Sequence, residues 1–344
     1  MDVIKELRIT RITEETPQAK TFELEPLQLP ALHYRPGQFL TLVFKTRHGD
    51  KRRSYSISSS PALAEPLSIT VKKLDNGEFS RFLIHHAKEG DVLHASGIGG
   101  FFTLPEKPEN YKDICFIAAG SGITPCFSLI KTLLATTTLP VKLIYSNRNA
   151  DDTIFYSQLR DLEEAYSGRF QVKYLFSDSN DIYSRRLSKW LLDQLIESYF
   201  KEPERVLFYI CGPFEYMQTV EITLRVHTKE ENIRKENYSA LPRLTLPVPP
   251  DTSQRRVTIH TGGKIYDVNV KYPQSILKAA QEQHIDLPYS CEAGRCGSCV
   301  ATCVSGKIWM AYNEVLVEKE VQNGRFLTCE GFPVFGDAVI VSGE

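Results

Sequence analysis

At 344 residues the chain is long enough for two or three domains, and 42% hydrophobic with 24% charged residues is the balance of a globular protein with real cores. A formal net charge of −1 excludes the basic field of a nucleic-acid-binding protein, and no apolar stretch approaches the roughly 20 residues that cross a membrane. With no signal-peptide pattern in residues 1–6, the eight cysteines favour metal ligation in a reducing compartment over disulfides, so the cytoplasm is the expected location.

Over residues 3–104 short runs of alternating apolar residues, such as 20–24, 38–44 and 67–72, are broken by Pro and Gly. This density of period-2 runs predicts an antiparallel β-barrel or sandwich over residues 1–105. Two stretches in it can carry chemistry. In Arg53-Ser54-Tyr55-Ser56, the tyrosine ring can lie flat against an isoalloxazine and the arginine can bind a pyrophosphate bidentately. A serine hydroxyl there can reach the N5 edge of the ring. Gly77-Glu78-Phe79-Ser80 opens a short helix expected over 81–86, and the free N–H groups of its start, with Ser80, can take phosphate. Taken singly, each stretch is better read as a serine-rich strand or an ordinary turn. His85 and His86 are adjacent rather than spaced for one metal, and the other histidines form no ligand cluster.

At residue 111 the period changes. The apolar run 113–119 has the character of a buried parallel strand, followed by Gly120-Ser121-Gly122-Ile123-Thr124-Pro125 and a helix expected over 126–135. Strands at 141–145, 171–176 and 205–210 alternate with helices at 155–166 and 188–196, which predicts a doubly wound α/β domain over 106–236. Gly120 and Gly122 let the backbone approach a pyrophosphate seated on the next helix, and Pro125 is harmless in a first helical turn. The last strand runs into Cys211-Gly212-Pro213, where chemistry alone favours a buried structural thiol. Cys115 and Cys126 are expected in the core. The second strand leads to Ser146-Asn147-Arg148, with no acid to bind a ribose 2′-OH, and Arg148 can accommodate a 2′-phosphate.

Residues 237–254 form a linker, with Pro242, Pro247, Pro249 and Pro250 in its extended part. The final domain, 255–344, shows strands at 256–260 and 264–270 about a Gly262-Gly263 turn, a helix at 275–283 and a strand at 300–304. Between the last two lie Cys291, Cys296 and Cys299 at C-x4-C-x2-C spacing, with Cys329 following after 29 intervening residues. That is the plant-type [2Fe–2S] spacing, and Gly294 and Gly297 supply the conformations a loop of this kind needs. The competing reading is a four-cysteine zinc site, although such sites usually come as two separated C-x2-C pairs. Cys303 is expected to pack against the loop without binding iron.

Together and in this order, R-x-Y-S followed by V-K-x-L-x-x-G-x-x-S resembles the flavin domain of the ferredoxin–NADP reductase superfamily. The resemblance implies a six-stranded barrel whose Arg53, Ser54, Tyr55, Ser56, Val71, Lys72, Gly77, Phe79 and Ser80 hold FAD rather than FMN. G-x-G-x-T-P resembles the superfamily's NAD(P)H motif and implies that Gly120, Gly122, Thr124, Pro125 and Arg148 bind the nucleotide, with Thr124 near the nicotinamide. The C-G-P element implies that Gly212 and Pro213 join them and that Cys211 lies beside the nicotinamide C4 and flavin N5, with Tyr55 and Ser56 completing the catalytic group. NADPH users of the family carry Ser-Arg where this chain has Ser177-Asp178, which weakens the NADPH case, although Arg185 or Arg186 can substitute; NADPH stays ahead of NADH.

The order of elements in the last ninety or so residues is that of a β-grasp ferredoxin, with Cys291, Cys296, Cys299 and Cys329 as cluster ligands. With nine Lys and Arg against ten Asp and Glu over 254–344, it lacks the acidity of a free ferredoxin, as fits a domain tethered to its reductase. The order flavin, nicotinamide, ferredoxin resembles the reductase components of bacterial oxygenases. Gly306-Lys307, Asn313-Glu314-Val315-Leu316 and Leu327-Thr328-Cys329-Glu330 look most like the reductases of phenylacetyl-CoA epoxidase systems. The implied activity is NAD(P)H oxidation with electrons passing through FAD and a [2Fe–2S] cluster to an oxygenase partner. A reductase for another acceptor, such as a hybrid-cluster protein, and a zinc-stapled binding module are the alternatives.

Overall fold

A computed structural model describes residues 4–28, 32–47, 49–183, 185–238 and 247–342. Residues 239–246 of the expected linker, Pro242 among them, lie outside the described residues. The chain divides into two compact units, one comprising Ile4–Ile98 and Phe102–Asn237, the other Gly99–Phe101 with the segment from Tyr238 onward. No helix of the described residues is long and apolar enough to cross a membrane.

The first unit opens with β1 (Lys5–Thr16), β2 (Ala19–Pro26), β3 (Phe39–Thr46), β4 (Gly49–Ser56), β5 (Ser68–Lys72), α1 (Glu78–His86) and β6 (Val92–Gly99). The six strands form one sheet in the order β4-β3-β6-β1-β2-β5. Its two edges meet where Ile57 bridges Ile69 and the Ser58 N–H donates to Ser68 O at 2.8 Å, closing the barrel. Alternate residues such as Leu40 and Leu42, or Ile69 and Val71, fill its core, as period-2 patterning requires. α1 starts earlier than the expected residue 81 because Gly77 is its cap. His85 and His86 are exposed in its last turn.

The rest of the unit alternates strand and helix: β7 (Asp113–Ala119), α2 (Ile123–Thr136), β8 (Val141–Asn147), α3 (Tyr156–Ala165), β9 (Phe170–Phe176), α4 (Lys189–Tyr199), β10 (Val206–Cys211), α5 (Phe214–His227) and β11 (Ile233–Glu236). All the pairings are parallel, in the order β11-β10-β7-β8-β9. Side chains of α2 and α3 pack with one apolar core and those of α4 and α5 with another, as in a doubly wound sheet. The strand order reverses at β7, so the loops after β7 and β10 open side by side, the usual ligand position in such sheets. Cys115 and Cys126 are fully buried, as expected of core residues.

The second unit holds β12 (Arg255–Thr261), β13 (Lys264–Val270), α6 (Ile276–Glu282), β14 (Val300–Ser305), β15 (Ile308–Met310), α7 (Glu318–Gln322), β16 (Arg325–Leu327), β17 (Gly331–Pro333) and β18 (Ala338–Ser342). β12 and β13 form a hairpin whose turn residues Gly262 and Gly263 both have positive φ, as a tight primed turn demands. β18 runs parallel to β12 in the centre of a sheet ordered β13-β12-β18-β14-β16, and α6 packs on it through Ile276, Leu277 and Ala280. This is the β-grasp arrangement. Cys303 lies on β14, partly exposed, with its thiol 3.3 Å from Ser305 O and its packing made with the sheet core.

Candidate flavin, nicotinamide and iron–sulfur sites

The register of β3 and β4 pairs Leu42 with Arg53, Thr41 with Ser54, Leu40 with Tyr55 and Phe39 with Ser56. Alternation puts Arg53 and Tyr55 on one face and Ser54 and Ser56 on the other. The Arg53 guanidinium stands 5.1 Å from the centre of the Phe79 ring, which itself stacks on Phe44 at 4.3 Å. The arginine and the start of α1, the two expected phosphate-binding elements, are thus neighbours. A Cβ on Gly77 would lie 2.4 Å from Ser80 Oγ, so the turn admits no side chain there. The Ser80 hydroxyl accepts from the Leu74 N–H and donates to Gly77 O, each at 3.1 Å, which closes the turn. Val71 is buried in the barrel core, which leaves its backbone as the part able to meet a ligand. Burial pushes the Tyr55 hydroxyl above its ordinary pKa, with Arg53 opposing, so the ring stays uncharged.

The Ser54 and Ser56 hydroxyls differ in their partners. Ser54 bonds Thr41 at 2.9 Å, whereas Ser56 donates to Glu236 Oε2 at 3.1 Å. Glu236 is buried at the end of β11, where its pairing partner on β10 is Cys211. Ser56, Glu236 and Cys211 therefore join the barrel to the nucleotide domain at one point. Glu236 belongs to none of the expected site residues; its only local signal in the sequence is a carboxylate closing a four-residue strand.

At the nucleotide loops, Gly120 has φ +54°, and a Cβ there would sit 3.5 Å from Lys72 Nζ, which brings this lysine beside the loop. Gly122 is needed for a different reason. A Cβ on it would lie 2.1 Å from Cys211 O and 2.8 Å from Gly212 N, so only glycine lets the two loops touch. Tyr145 donates its hydroxyl to Gly120 O at 3.0 Å, and Tyr216 donates to Ala118 O at 3.2 Å, fixing the end of β7 from both faces. Pro125 occupies the first turn of α2 and Pro213 caps α5. Thr124 is 2% exposed, and its Oγ1 has no hydrogen-bond partner among the described residues. A buried hydroxyl left unpaired costs about 1–3 kcal/mol, so this one fits a site completed by a polar ligand group. Arg148 is exposed, and its carbonyl accepts from the Asp178 N–H at 3.1 Å. The two residues weighed against each other for a 2′-phosphate thus share one corner.

Residues 283–299 contain no helix or strand. Positive φ at Glu292, Gly294 and Gly297 (+51°, +70° and +73°) turns the backbone around the thiols. A Cβ on Gly297 would meet the Phe101 ring at 2.6 Å and Val315 at 2.9 Å, so this position is closed to other residues twice over. Cys291 is drawn down to about 6 by its hydrogen bond with Cys296 and by the backbone N–H groups of Arg295, Ala293 and Cys296. Cys299 is likewise lowered, chiefly by Cys329, whose sulfur lies 3.2 Å away. The charge on Cys291 acts on both Cys299 and Cys329, so all four sulfurs share one locality. They are sorted into two pairs, Cys291 with Cys296 and Cys299 with Cys329. The C-x4-C-x2-C spacing with a distant fourth cysteine differs from the two separated C-x2-C pairs usual in four-cysteine zinc sites. The residues present fit a two-iron cluster.

Residues 6–103 match the oxidoreductase FAD-binding domain, 116–221 the oxidoreductase NAD-binding domain and 259–334 the 2Fe-2S iron-sulfur cluster binding domain. With these folds and sites the chain is a modular flavin- and iron–sulfur-dependent oxidoreductase. A relative from Escherichia coli, one of the subunits of 1,2-phenylacetyl-CoA epoxidase, is 31% identical over 350 residues, spanning 99% of this chain and 98% of its own. The ferredoxin reductase component of 3-ketosteroid-9-alpha-monooxygenase from Mycolicibacterium smegmatis is 30% identical over 353 residues, spanning 98% of this chain and 97% of its own. The fold is shared with phthalate dioxygenase reductase, 23% identical, with a TM-score of 0.62 over 99% of this chain and 98% of that one. The chain belongs to this family of reductases, which join FAD-, NAD- and [2Fe–2S]-binding domains in one polypeptide.

Proposed function

We propose that the chain draws electrons from NAD(P)H, passes them through FAD to a [2Fe–2S] cluster and delivers them to an oxygenase component of the phenylacetyl-CoA epoxidase type. The observation that carries this reading is the convergence of Ser56, Glu236 and Cys211 at the end of the nucleotide loops. The names of the two full-length relatives support an oxygenase as the acceptor. When bound, the flavin and the cluster supply the redox chemistry, converting an electron pair into single electrons.

The chain's own contribution is placement. Arg53 and the start of α1 hold the pyrophosphate side of FAD, and Tyr55 offers its uncharged ring to the flavin. Glu236 fixes the direction of the Ser56 hydroxyl by accepting its proton in a hydrogen bond. Gly120 and Gly122 bring backbone N–H groups to the nucleotide phosphates, and Thr124 Oγ1 meets the nicotinamide half. Arg148 favours NADPH over NADH, and Asp178 on the same corner keeps that preference small. Cys291, Cys296, Cys299 and Cys329 hold the irons. The functional limits are 1–105 for flavin, 106–236 for nucleotide, 237–254 for the linker and 255–344 for the ferredoxin, in a protein of the cytoplasm.

The test is anaerobic reconstitution with FAD, iron and sulfide, followed by reduction with NADPH or NADH and then by an epoxidase oxygenase component. The expected result is flavin and iron–sulfur absorption, bleached faster by NADPH, and substrate oxidation that depends on the chain. A protein without both chromophores, or one that supports no oxygenase turnover, would sink the proposal.

A further inference from the structure

Arg295 and Glu330 are the two charged side chains buried in the second unit among its described residues, at 8% and 7% exposure. Arg295 sits between two of the cysteines, and its Nε is 3.7 Å from Glu314 Oε1, with the Glu314 side chain 14% exposed. The guanidinium lies 6.0 Å from the centre of the Tyr312 ring, and the Tyr312 hydroxyl donates to the Glu314 carboxylate. The Glu314 N–H donates to Gly294 O at 3.0 Å, which stitches this acid to the cysteine loop.

Stability does not explain such a pair. Exchanging a buried ion pair for well-packed apolar side chains is often neutral or stabilising. An arginine, moreover, keeps its charge in any protein environment. Charge so close to the loop has a direct consequence for a redox centre. Adding one electron to a cluster adds one negative charge, which a buried cation favours and a buried carboxylate opposes, with little screening by salt.

We propose that the Arg295–Glu314 pair sets the reduction potential of the cluster, Arg295 raising it and Glu314 restraining that rise. The assignment rests on the cluster reading above. It is tested by redox titration of the full-length protein, following the reduced cluster by its paramagnetic resonance. Arg295→Gln is expected to make reduction about tenfold less favourable, a downward shift of about 59 mV for a one-electron couple, and Glu314→Gln to shift it upward by a similar amount. The double variant returns close to the parent, and Arg295→Lys, which keeps the charge, leaves the potential near that of the parent. Shifts of the same sign in the two single variants, or no shift in either, overturn the assignment and leave the pair a structural one. Should a Gln variant fail to assemble a cluster, Tyr312→Phe decides: it removes a donor from the Glu314 carboxylate and so lowers the potential by a smaller amount. An unchanged or raised potential in that variant overturns the assignment too. A parent protein that shows no cluster signal overturns the cluster reading itself.

Discussion

The loops at Gly120 and Gly212 follow two adjacent strands, β7 and β10, that are almost wholly buried, whereas the cysteines occupy a stretch without helix or strand. In the first region the parallel sheet dictates where each backbone atom lies, down to the missing Cβ of Gly122. In the second, positive-φ turns and a few side-chain contacts hold four thiols in two pairs, one of them carrying the exposed Cys291. The backbone of the nucleotide loops is fixed by packing, with the Thr124 hydroxyl left without a protein partner among the described residues, whereas the cysteine loop relies on turns and on contacts between thiols. Sites of the first kind break through packing, those of the second through loss of a ligand.

The sharpest separation is Cys296→Ser. It should abolish the iron–sulfur absorption bands while NAD(P)H still bleaches the flavin at the parent rate. Loss of flavin reduction as well would show that the two regions are not independent. Gly122→Ala should do the reverse, since its Cβ would overlap the Cys211 carbonyl. A loss of about 3 kcal/mol is expected in the flavin–nucleotide unit, as for severe overpacking, with cluster absorption retained; equal denaturant midpoints for variant and parent would contradict it.

Thr124→Val probes the nucleotide site more gently. Removing an unpaired buried hydroxyl should raise the stability of the nucleotide-free protein by about 1 kcal/mol and weaken nucleotide binding about tenfold. Calorimetry of both states checks the opposite signs. The smallest effect belongs to Asp251, whose carboxyl is held well below its usual range by the backbone N–H groups of Ser253 and Phe335 and by Arg255. A lowered folded pKa contributes stability above the ordinary carboxylate range that is lost as pH falls through the folded value. Asp251→Asn should therefore lower the melting temperature of the ferredoxin unit slightly at neutral pH and converge with the parent in strong acid.

The same contrast governs what the sequence disclosed. Helices capped by serine were legible almost to the residue: expected starts at 188 and 275 compare with Lys189 and Ile276, where the Ser188 and Ser275 hydroxyls accept the capping N–H. α1 and α2 begin three residues before their expected starts because their caps, Gly77 and Gly122, offer no such side chain. The cysteine spacing and the Gly-x-Gly strand end are local patterns and stood out at once. Glu236 did not, since Ser56 is 180 residues away in the chain and only the closed fold brings them together. Burial of Arg295 was equally hidden, because an arginine in a loop ordinarily faces water. Helix α5 and strand β11 lay past the last motif and were left unassigned.

The contact between Gly122 and Cys211 has a consequence for the order of assembly. It joins residues 89 positions apart, and it requires β10 to dock against β7 after three intervening helices and two strands have been made. Long-range parallel pairing of this kind is slow, since loop closure must be met before the contact rewards it. The two nucleotide loops can therefore meet only once β10 has docked on β7. During synthesis, a chain that has not yet released β10 has the Gly-x-Gly motif in hand but no pocket to use it in.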